Sequence, residues 1–259
     1  MNWPVVAFLN FQRPDLALSM IEQLKGTHLV ALDNGGQQPL QGQLWTLTDQ
    51  IHDYTTLPPY TVWPNWLGPH QEHRPVWRLY RVPKNLYYGG GSNWLMARIA
   101  ADWPDAEFVW LCNDDITGTS PAMAYALYEY LKANPRVGMI SPAIRGTTHR
   151  STQPHGTGAP RQVPFIDVTC PMFRVAMWKE LNGYDPDFIG FGTDVDLCAR
   201  AIKAGWQLVV HDGLVVDHPD PGTTCITQGT MGLHADGRWV DLIYAKHGKP
   251  WHVLTTVGP

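Results

Sequence analysis

The sequence alternates short apolar runs with segments whose apolar residues recur at helical spacing. Five stretches have the length and composition of buried strands, namely 4–9, 28–33, 107–112, 137–141 and a strand pair inside 207–217. Helices are predicted between them, beginning at Pro14 and covering 121–133, 174–181 and 194–204. This alternation predicts an α/β fold: a single domain with a mostly parallel central sheet flanked by helices.

Composition fits one domain with a sizeable core, because 44% of the 259 residues are hydrophobic and 16% are charged. The net charge of −4 gives no global attraction to nucleic acid. No apolar run approaches the roughly 20 residues needed to span a bilayer, and the N-terminus looks like a strand rather than a signal peptide. We therefore expect no transmembrane segment and a cytoplasmic location, in the host cytoplasm if the chain is viral. Four widely spaced cysteines are predicted to be buried and reduced, namely Cys112, Cys170, Cys198 and Cys225.

Two stretches break the alternation. Residues 53–84 are rich in Pro, Trp and Arg, and residues 144–166 form a polar stretch without an acidic residue. Both are predicted to be long loops, which often carry function.

Polar residues follow several predicted strands, and they include Asn10, Asp33 and His218. In an open α/β sheet, ligands bind beyond the carboxyl ends of the strands, so these side chains are expected to converge. Asp114 and Asp115 follow a strongly apolar strand, and a divalent cation would relieve the repulsion between such consecutive carboxylates. An Asx-turn is the structural alternative for this pair, and a purely structural histidine is the alternative for His218.

A predicted helix begins near Asp194 and contains Asp196 and Arg200. Judged from local pattern alone, Asp194 could cap the helix, and Asp196 could pair with Arg200 four residues later.

Five segments, in this order and spacing, resemble the large family of inverting GT-A-fold glycosyltransferases often called family two. They are Phe8–Arg13, Val30–Gly36, the glycine-rich Asn85–Asn93, Asn113-Asp114-Asp115 in the place of a DxD motif, and a block from Phe173 to Trp206. The resemblance covers roughly residues 4 to 218. The sequence departs from the family pattern at Asn113, at Thr193 and at Tyr87-Tyr88.

The resemblance implies a GT-A (Rossmann-like) fold and transfer of a sugar from a nucleotide-sugar donor to an acceptor hydroxyl with inversion. Asp115 and His218 would hold Mn²⁺ or Mg²⁺, and Asp194 would be the general base, an ionised carboxylate favoured by the helix N-terminus. The residues expected to contact the nucleotide-sugar are Asn10, Arg13, Asp33, Asn85, Gly91, Asn93, Asn113 and Asp114. Residues 1–115 would form the nucleotide-sugar half, 116–218 the acceptor and catalytic half, and 219–259 a C-terminal lid or tail.

The acceptor is less well specified. Phe191, Asp196, Arg145 and Arg150 are its candidate contacts. Basic residues interleaved with aromatics can track a phosphate backbone, so a hydroxymethylated base in viral DNA is one acceptor hypothesis. A cell-surface glycan intermediate is another, and the basic loop could equally be a solvated surface. A nucleotidyltransferase and a non-catalytic sugar- or nucleotide-binding protein are the other function classes left open.

Overall fold

The computed structural model describes residues 4–11, 13–35, 51–53, 77–218 and 237–256. Within these ranges nine strands form one sheet. They are β1 (Val5–Asn10), β2 (His28–Asn34), β3 (Ile51–Asp53), β4 (Trp77–Val82), β5 (Phe108–Asn113), β6 (Val137–Arg145), β7 (Pro160–Val163), β8 (Met172–Arg174) and β9 (Gln207–Asp217).

The strand order across the sheet is β3-β4-β2-β1-β5-β8-β6-β9-β7. The pairs from β3 to β5 are all parallel, and β6 and β9 are parallel as well. Strand β8 lies antiparallel between β5 and β6, and β7 is an antiparallel edge strand on β9. The mostly parallel central sheet predicted from the sequence is therefore confirmed.

Seven helices accompany the sheet in the described part of the chain: α1 (Pro14–Gln23), α2 (Tyr87–Asp102), α3 (Pro121–Ala133), α4 (Val175–Glu180), α5 (Thr193–Lys203), α6 (Arg238–His247) and α7 (Trp251–Thr255). Both predicted proline starts are confirmed, since Pro14 and Pro121 each open a helix. The Ser120 side chain also accepts a hydrogen bond from the Met123 amide at 3.2 Å, which satisfies a free N–H of the first turn.

Alternate residues of the central strands fill two apolar layers. Val6 and Phe8 of β1 are fully buried on the side covered by α1 and α3. Val5 and Ala7 face the opposite layer, to which α2 contributes Leu95, Met96 and Ile99. Burial on both faces explains why these strands appear in the sequence as continuous apolar runs.

Two loop predictions and one strand prediction need correction. Residues 77–82 are strand β4, between β2 and β3, rather than loop, while 54–76 lie outside the described residues. Residues 160–163 of the second predicted loop form edge strand β7. The stretch 207–217 is one strand whose pairing jumps from His211 to Val215 opposite Pro142 and Ala143. The sequence signal was weak at these places because polar side chains interrupt the apolar runs.

The glycine-rich segment is also placed differently from expectation. Helix α2 begins at Tyr87, so Gly89, Gly90 and Gly91 lie within its first turns rather than in a turn before it. Gly91 was expected to let a nucleotide approach the backbone. A Cβ there would instead collide with the Leu9 side chain and lie 3.1 Å from the Asn34 amide. The absence of a side chain at Gly91 therefore allows α2 to pack closely on the ends of β1 and β2.

The C-terminal part of the predicted lid is docked on the domain. Helices α6 and α7 pack against α5, and Lys246 bonds to the carboxylates of Asp185 and Asp187 at 2.8 Å each. Residues 219–236 of the predicted lid lie outside the described residues. Among the helices described here, none has the length and apolar character required to cross a membrane.

Three of the four cysteines fall in the described part of the chain, and the prediction of buried, reduced thiols is confirmed for Cys112, Cys170 and Cys198. The sulfurs of Cys112 and Cys170 lie 3.5 Å apart, although 58 positions separate them in sequence. Cys225 lies outside the described residues.

Replacing Gly91 with Ala should lower the free energy of unfolding by about 1–3 kcal/mol, because the added methyl group overpacks the contact with Leu9. Urea denaturation of the two proteins measures this difference. The matched control is Gly90→Ala in the same helix, where the nearest atom, the Leu86 Cβ, would lie at an ordinary 3.4 Å. Equal stability of Gly91→Ala and Gly90→Ala would contradict the close packing.

Candidate functional site

Polar side chains gather at the carboxyl ends of β1 and β5. The Asn10 amide donates to the Asp114 carboxylate at 2.5 Å and to the Arg13 carbonyl at 2.6 Å. Burial and the neighbouring charge of Asp115 raise the pKa of Asp114 to about 8, although the Asn10 hydrogen bond acts in the opposite direction. A cation placed here would offset the cost of ionising Asp114.

Asp115 and His218 come together although their strands are not neighbours. Thr117 and Asp217 exchange two backbone hydrogen bonds of 2.9 Å, which join the segment after β5 to the end of β9. As a result the Asp115 Oδ1 and the His218 Nε2 lie 3.2 Å apart. The spatial convergence predicted from the sequence is therefore observed.

A cavity of about 390 Å³ opens beside these side chains. Its lining combines the carboxylates with residues of α1 and β6: Leu16, Ser19, Asp114, Asp115, Ile116, Thr117, Arg145, Gly146, Asp217 and His218. A carboxylate oxygen and an imidazole nitrogen at this spacing are a donor set that suits Mn²⁺ at least as well as Mg²⁺. The described residues contain no group of three His, Cys, Asp or Glu side chains arranged to hold a metal, so remaining coordination positions would fall to ligand or water oxygens.

Asp33 lies beside Asn10 in the sheet register, at the end of β2. It is 2% exposed, and its Oδ2 lies 3.4 Å from the Arg81 Nε of β4. Arg13 is expected at the same edge, but its guanidinium pairs locally with Asp15 at 2.8 Å. The charges of Asp114 and Asp115 help to raise the pKa of Arg13 further, so its cationic form is favoured.

Asn85 and Asn93 have structural partners. The Asn85 side chain accepts from the Asn34 amide at 3.1 Å and from the Tyr87 N–H at 2.7 Å, which shapes the entry into α2. Asn93 pairs with the backbone of Tyr184 in both directions, at 2.8 and 2.9 Å. Both amides therefore bond to other parts of the fold, and the nucleotide contacts expected of them stay predictions.

Asn34 is a residue that sequence reasoning missed. Its amide donates to Asn85 and its oxygen accepts from the Leu86 N–H at 3.0 Å, so it ties the end of β2 to α2. Its place directly after Asp33 at a strand end was the available signal. Asn113, also expected near the donor, anchors the end of β5 by donating its backbone N–H to the Thr169 carbonyl at 2.8 Å.

Asp194 lies in the first turn of α5, two residues after Gly192, which takes the left-handed conformation at the helix start. The local alternative of an N-cap is thus excluded. Burial and the charge of Asp167 raise the pKa of Asp194 to about 6, while the Val195 N–H and His149 act in the opposite direction. The expectation that the helix N-terminus would keep this carboxyl readily ionised is corrected, because desolvation outweighs the helix.

Asp196 is 1% exposed and fully engaged. Its carboxylate bonds to the Arg200 guanidinium at 2.6 Å and to the His247 ring at 3.0 Å. Arg200 also donates to the carbonyls of Leu181 and Gly183. The predicted ion pair is confirmed, and the acceptor contact expected of Asp196 stays a prediction.

The basic stretch expected to meet an acceptor is partly neutralised. Arg145 pairs with Asp217 at 2.6 Å, and Arg161 pairs with the buried Asp212 at 3.1 Å. Arg150 is exposed, and Phe191 is half-buried just before α5. Arg145 therefore already has a protein carboxylate as its partner, which weakens the case for a phosphate-tracking loop.

The raised pKa predicts that Asp194 lowers the stability of the protein at neutral pH. Above pH 6 the carboxyl is ionised in both states, and only the folded state bears the cost of a poorly hydrated charge. That cost disappears as the pH falls through about 6 towards ordinary carboxyl values. Asp194→Asn should therefore raise the free energy of unfolding at pH 8 by up to about 2–3 kcal/mol, and by less at pH 5.

Thermal unfolding at pH 8 and pH 5 measures this effect, with Asp187→Asn as the control on an exposed carboxylate of the preceding turn. An Asp194→Asn protein no more stable than the wild type at pH 8 would contradict the burial argument.

No protein-family model and no curated protein matches the sequence. Solved structures do match it: a Pyrobaculum calidifontis mannosyltransferase in complex with GDP-Man and Mn²⁺ has a TM-score of 0.58 at 14% identity, over 86% of this chain and 59% of that one. Staphylococcus aureus TarS residues 1–349 gives 0.54 at 10% identity, over 84% and 60% of the two chains. GalNAc-T7 with UDP, GalNAc and Mn²⁺ gives 0.56 at 11% identity, over 86% and 45%.

These matches define the fold as the GT-A type found in glycosyltransferases. The chain spans about three fifths of the length of the first two proteins and less than half of the third.

Proposed function

We propose that the chain is a metal-dependent, inverting glycosyltransferase of the family-two type, which moves a sugar from a nucleotide-sugar to an acceptor hydroxyl. The observation that carries this proposal is the Asp115–His218 pair, 3.2 Å apart on a cavity at the carboxyl edge of a GT-A sheet. Two proteins of similar fold were solved with Mn²⁺ and with GDP-Man or UDP, which supports a nucleotide-sugar donor and a divalent cation.

Asp115 and His218 would hold the cation, which supplies positive charge for the leaving diphosphate. Asp114, fixed by Asn10, faces the same cavity and would contact the ribose or the donor sugar. Asp33 and Arg13, together with Asn113, would frame the nucleotide base near the ends of the central strands. Under this proposal, residues 1–115 would bind the donor, and residues 116–218 would bind the acceptor.

Asp194 would act as the general base. As the acceptor oxygen bonds to the anomeric carbon, the bond from that carbon to the phosphate oxygen breaks, and the hydroxyl proton passes to the Asp194 carboxylate. A pKa of about 6 makes this carboxylate a stronger base than an ordinary aspartate, while most of it stays ionised at pH 7.5.

For the acceptor, the proposal extends to a hydroxyl near Phe191 and the exposed Arg150. A hydroxymethylated base in DNA and a glycan intermediate both present such a hydroxyl. The internal pairing of Arg145 and Arg161 favours an acceptor that needs few phosphate contacts.

Asp115→Asn and His218→Gln should each weaken Mn²⁺ binding in the presence of UDP or GDP by at least about tenfold, because each removes a direct donor. Isothermal titration calorimetry measures the affinity. Asp217→Asn is the matched control, since Asp217 lines the same cavity but pairs with Arg145 at the surface. Equal weakening by the control would indicate a general electrostatic effect and would contradict the assignment of two donors.

The proposed activity predicts sugar-nucleotide turnover that requires Mn²⁺ or Mg²⁺ and falls at low pH with a midpoint near 6, as Asp194 becomes protonated. Asp194→Asn should lower kcat by roughly 10²–10⁴-fold. Hydrolysis and transfer are followed by released UDP or GDP and by the mass of the acceptor, with 5-hydroxymethylcytosine DNA and a glycan tested separately. Binding of nucleotide-sugars without any turnover would favour a binding protein instead.

A further inference from the structure

One glutamine side chain holds the segment that follows Asp115. The Gln23 amide, at the end of α1, donates to the Ile116 carbonyl at 3.3 Å, and its oxygen accepts from the Thr119 N–H at 3.2 Å and from the Thr119 hydroxyl at 3.1 Å. Ile116 is 1% exposed and Thr119 is 6% exposed, so water contributes little to satisfying these groups. A single side chain from α1 therefore holds both ends of segment 116–119.

The middle of this segment pairs with the end of β9. Thr117 exchanges two backbone hydrogen bonds of 2.9 Å with Asp217. Asp115 lies two residues before Thr117, and His218 directly follows Asp217. Because Gln23 bonds on both sides of Thr117, it fixes the backbone that carries Asp115.

A glycine fixes the position of His218, the second member of the pair. The end of β6 lies beside His218, whose N–H donates to the Arg145 carbonyl at 2.9 Å. Gly146 comes next, with a φ of 94°, a left-handed conformation that residues with a side chain rarely adopt. A Cβ at Gly146 would collide with the His218 carbonyl oxygen. Only a glycine therefore lets the His218 backbone lie this close to the end of β6.

Both supports border the cavity of the candidate site. Gly146 lines it directly, and Gln23 contacts it through Ser19, whose hydroxyl accepts from the Gln23 amide at 3.2 Å. The Gln23 oxygen is already bonded to Thr119, and Gly146 has no side chain, so neither residue adds a donor atom to the site. Their contacts act instead on the two backbone segments that carry Asp115 and His218.

We propose that Gln23 and Gly146 are positioning residues, which hold the side chains of Asp115 and His218 3.2 Å apart and so prepare them to share a divalent cation. This inference rests on the proposed function in assigning a cation to that pair. Donors that are already held in place lose little conformational entropy when the cation binds, so a site with few protein donors keeps its affinity. Changes in residues that orient metal ligands typically lower metal affinity by about 10–100-fold.

Binding of Mn²⁺ in the presence of UDP, and separately of GDP, tests the inference without any sugar transfer. Electron paramagnetic resonance measures the free Mn²⁺ and thereby the affinity. Gln23→Met, which keeps the length of the side chain and suits a helix but removes the amide, should weaken Mn²⁺ binding by about tenfold. Gly146→Ala should weaken it by a similar factor.

Two matched controls carry the same kinds of change away from the pair. Gln162→Met replaces an exposed glutamine of the edge strand β7. Gly156→Ala introduces a side chain where φ is 73° and no atom would lie within 4 Å of the added Cβ. Both control proteins should bind Mn²⁺ with the affinity of the wild type.

Double variants separate positioning from a general loss of stability. If Gly146 acts through His218, Gly146→Ala should weaken the Mn²⁺ binding of His218→Gln by less than about twofold, because the donor that it positions is already absent. Gln23→Met should likewise have little further effect in Asp115→Asn. Losses in these backgrounds as large as in the wild type would contradict positioning.

Folded Gln23→Met and Gly146→Ala proteins that bind Mn²⁺ with wild-type affinity overturn the inference, whatever the activity. If circular dichroism shows that Gly146→Ala does not fold, Gln23→Met and its combination with Asp115→Asn decide the outcome. Weakened Mn²⁺ binding in the single variants of a protein without any sugar-nucleotide turnover would uphold the positioning role while the proposed activity fails.

Discussion

The backbone pairing of Thr117 with Asp217 is the interaction on which the candidate site depends. Strands β8 and β6 separate β5 from β9 in the sheet, so their ends would not meet in a regular arrangement. Strand β9 is 11 residues long, and its register shifts opposite Pro142 and Ala143. Such irregularities bend a strand, and here the end of β9 pairs with the segment after β5. This pairing, together with the hydrogen bond from the His218 N–H to the Arg145 carbonyl at 2.9 Å, brings His218 beside Asp115.

Burial acts on the carboxylates of this edge in two ways. Asp196 is buried with two partners, the Arg200 guanidinium and the His247 ring, so it has a structural role. Asp114 is buried and Asp194 half-buried, and in each case desolvation outweighs the opposing contributions of Arg13 or His149, so the pKa of each is raised. Carboxyl groups whose environment resists ionisation lower stability, and they are typical of sites that bind cations or move protons. The same physical cost therefore marks two of the carboxylates that the proposed mechanism uses, Asp114 and Asp194.

The C-terminal helices are joined to α5 and to the turn before it by polar side chains. Lys246 of α6 pairs with Asp185 and Asp187 in the turn before α5, and His247 reaches the buried Asp196 within α5. Trp239 and Trp251 pack together with ring centroids 5.9 Å apart. The contacts of Lys246 and His247 thus tie the C-terminal helices to the turn before α5 and to α5 itself.

The sequence by itself determined the central strands, because side chains buried on both faces must be apolar, and it determined α1 and α3 through their proline starts and apolar faces. It also made Asp115 and Asp194 candidates, Asp115 through its place after a buried strand and Asp194 through the resemblance to a known family. Tertiary structure alone decided that Gly91 lies against Leu9, that Asn85 and Asn93 bond to Asn34 and to the Tyr184 backbone, and that Cys112 meets Cys170. Those contacts join segments distant in sequence, and periodicity records only which face of an element is buried, never its partner.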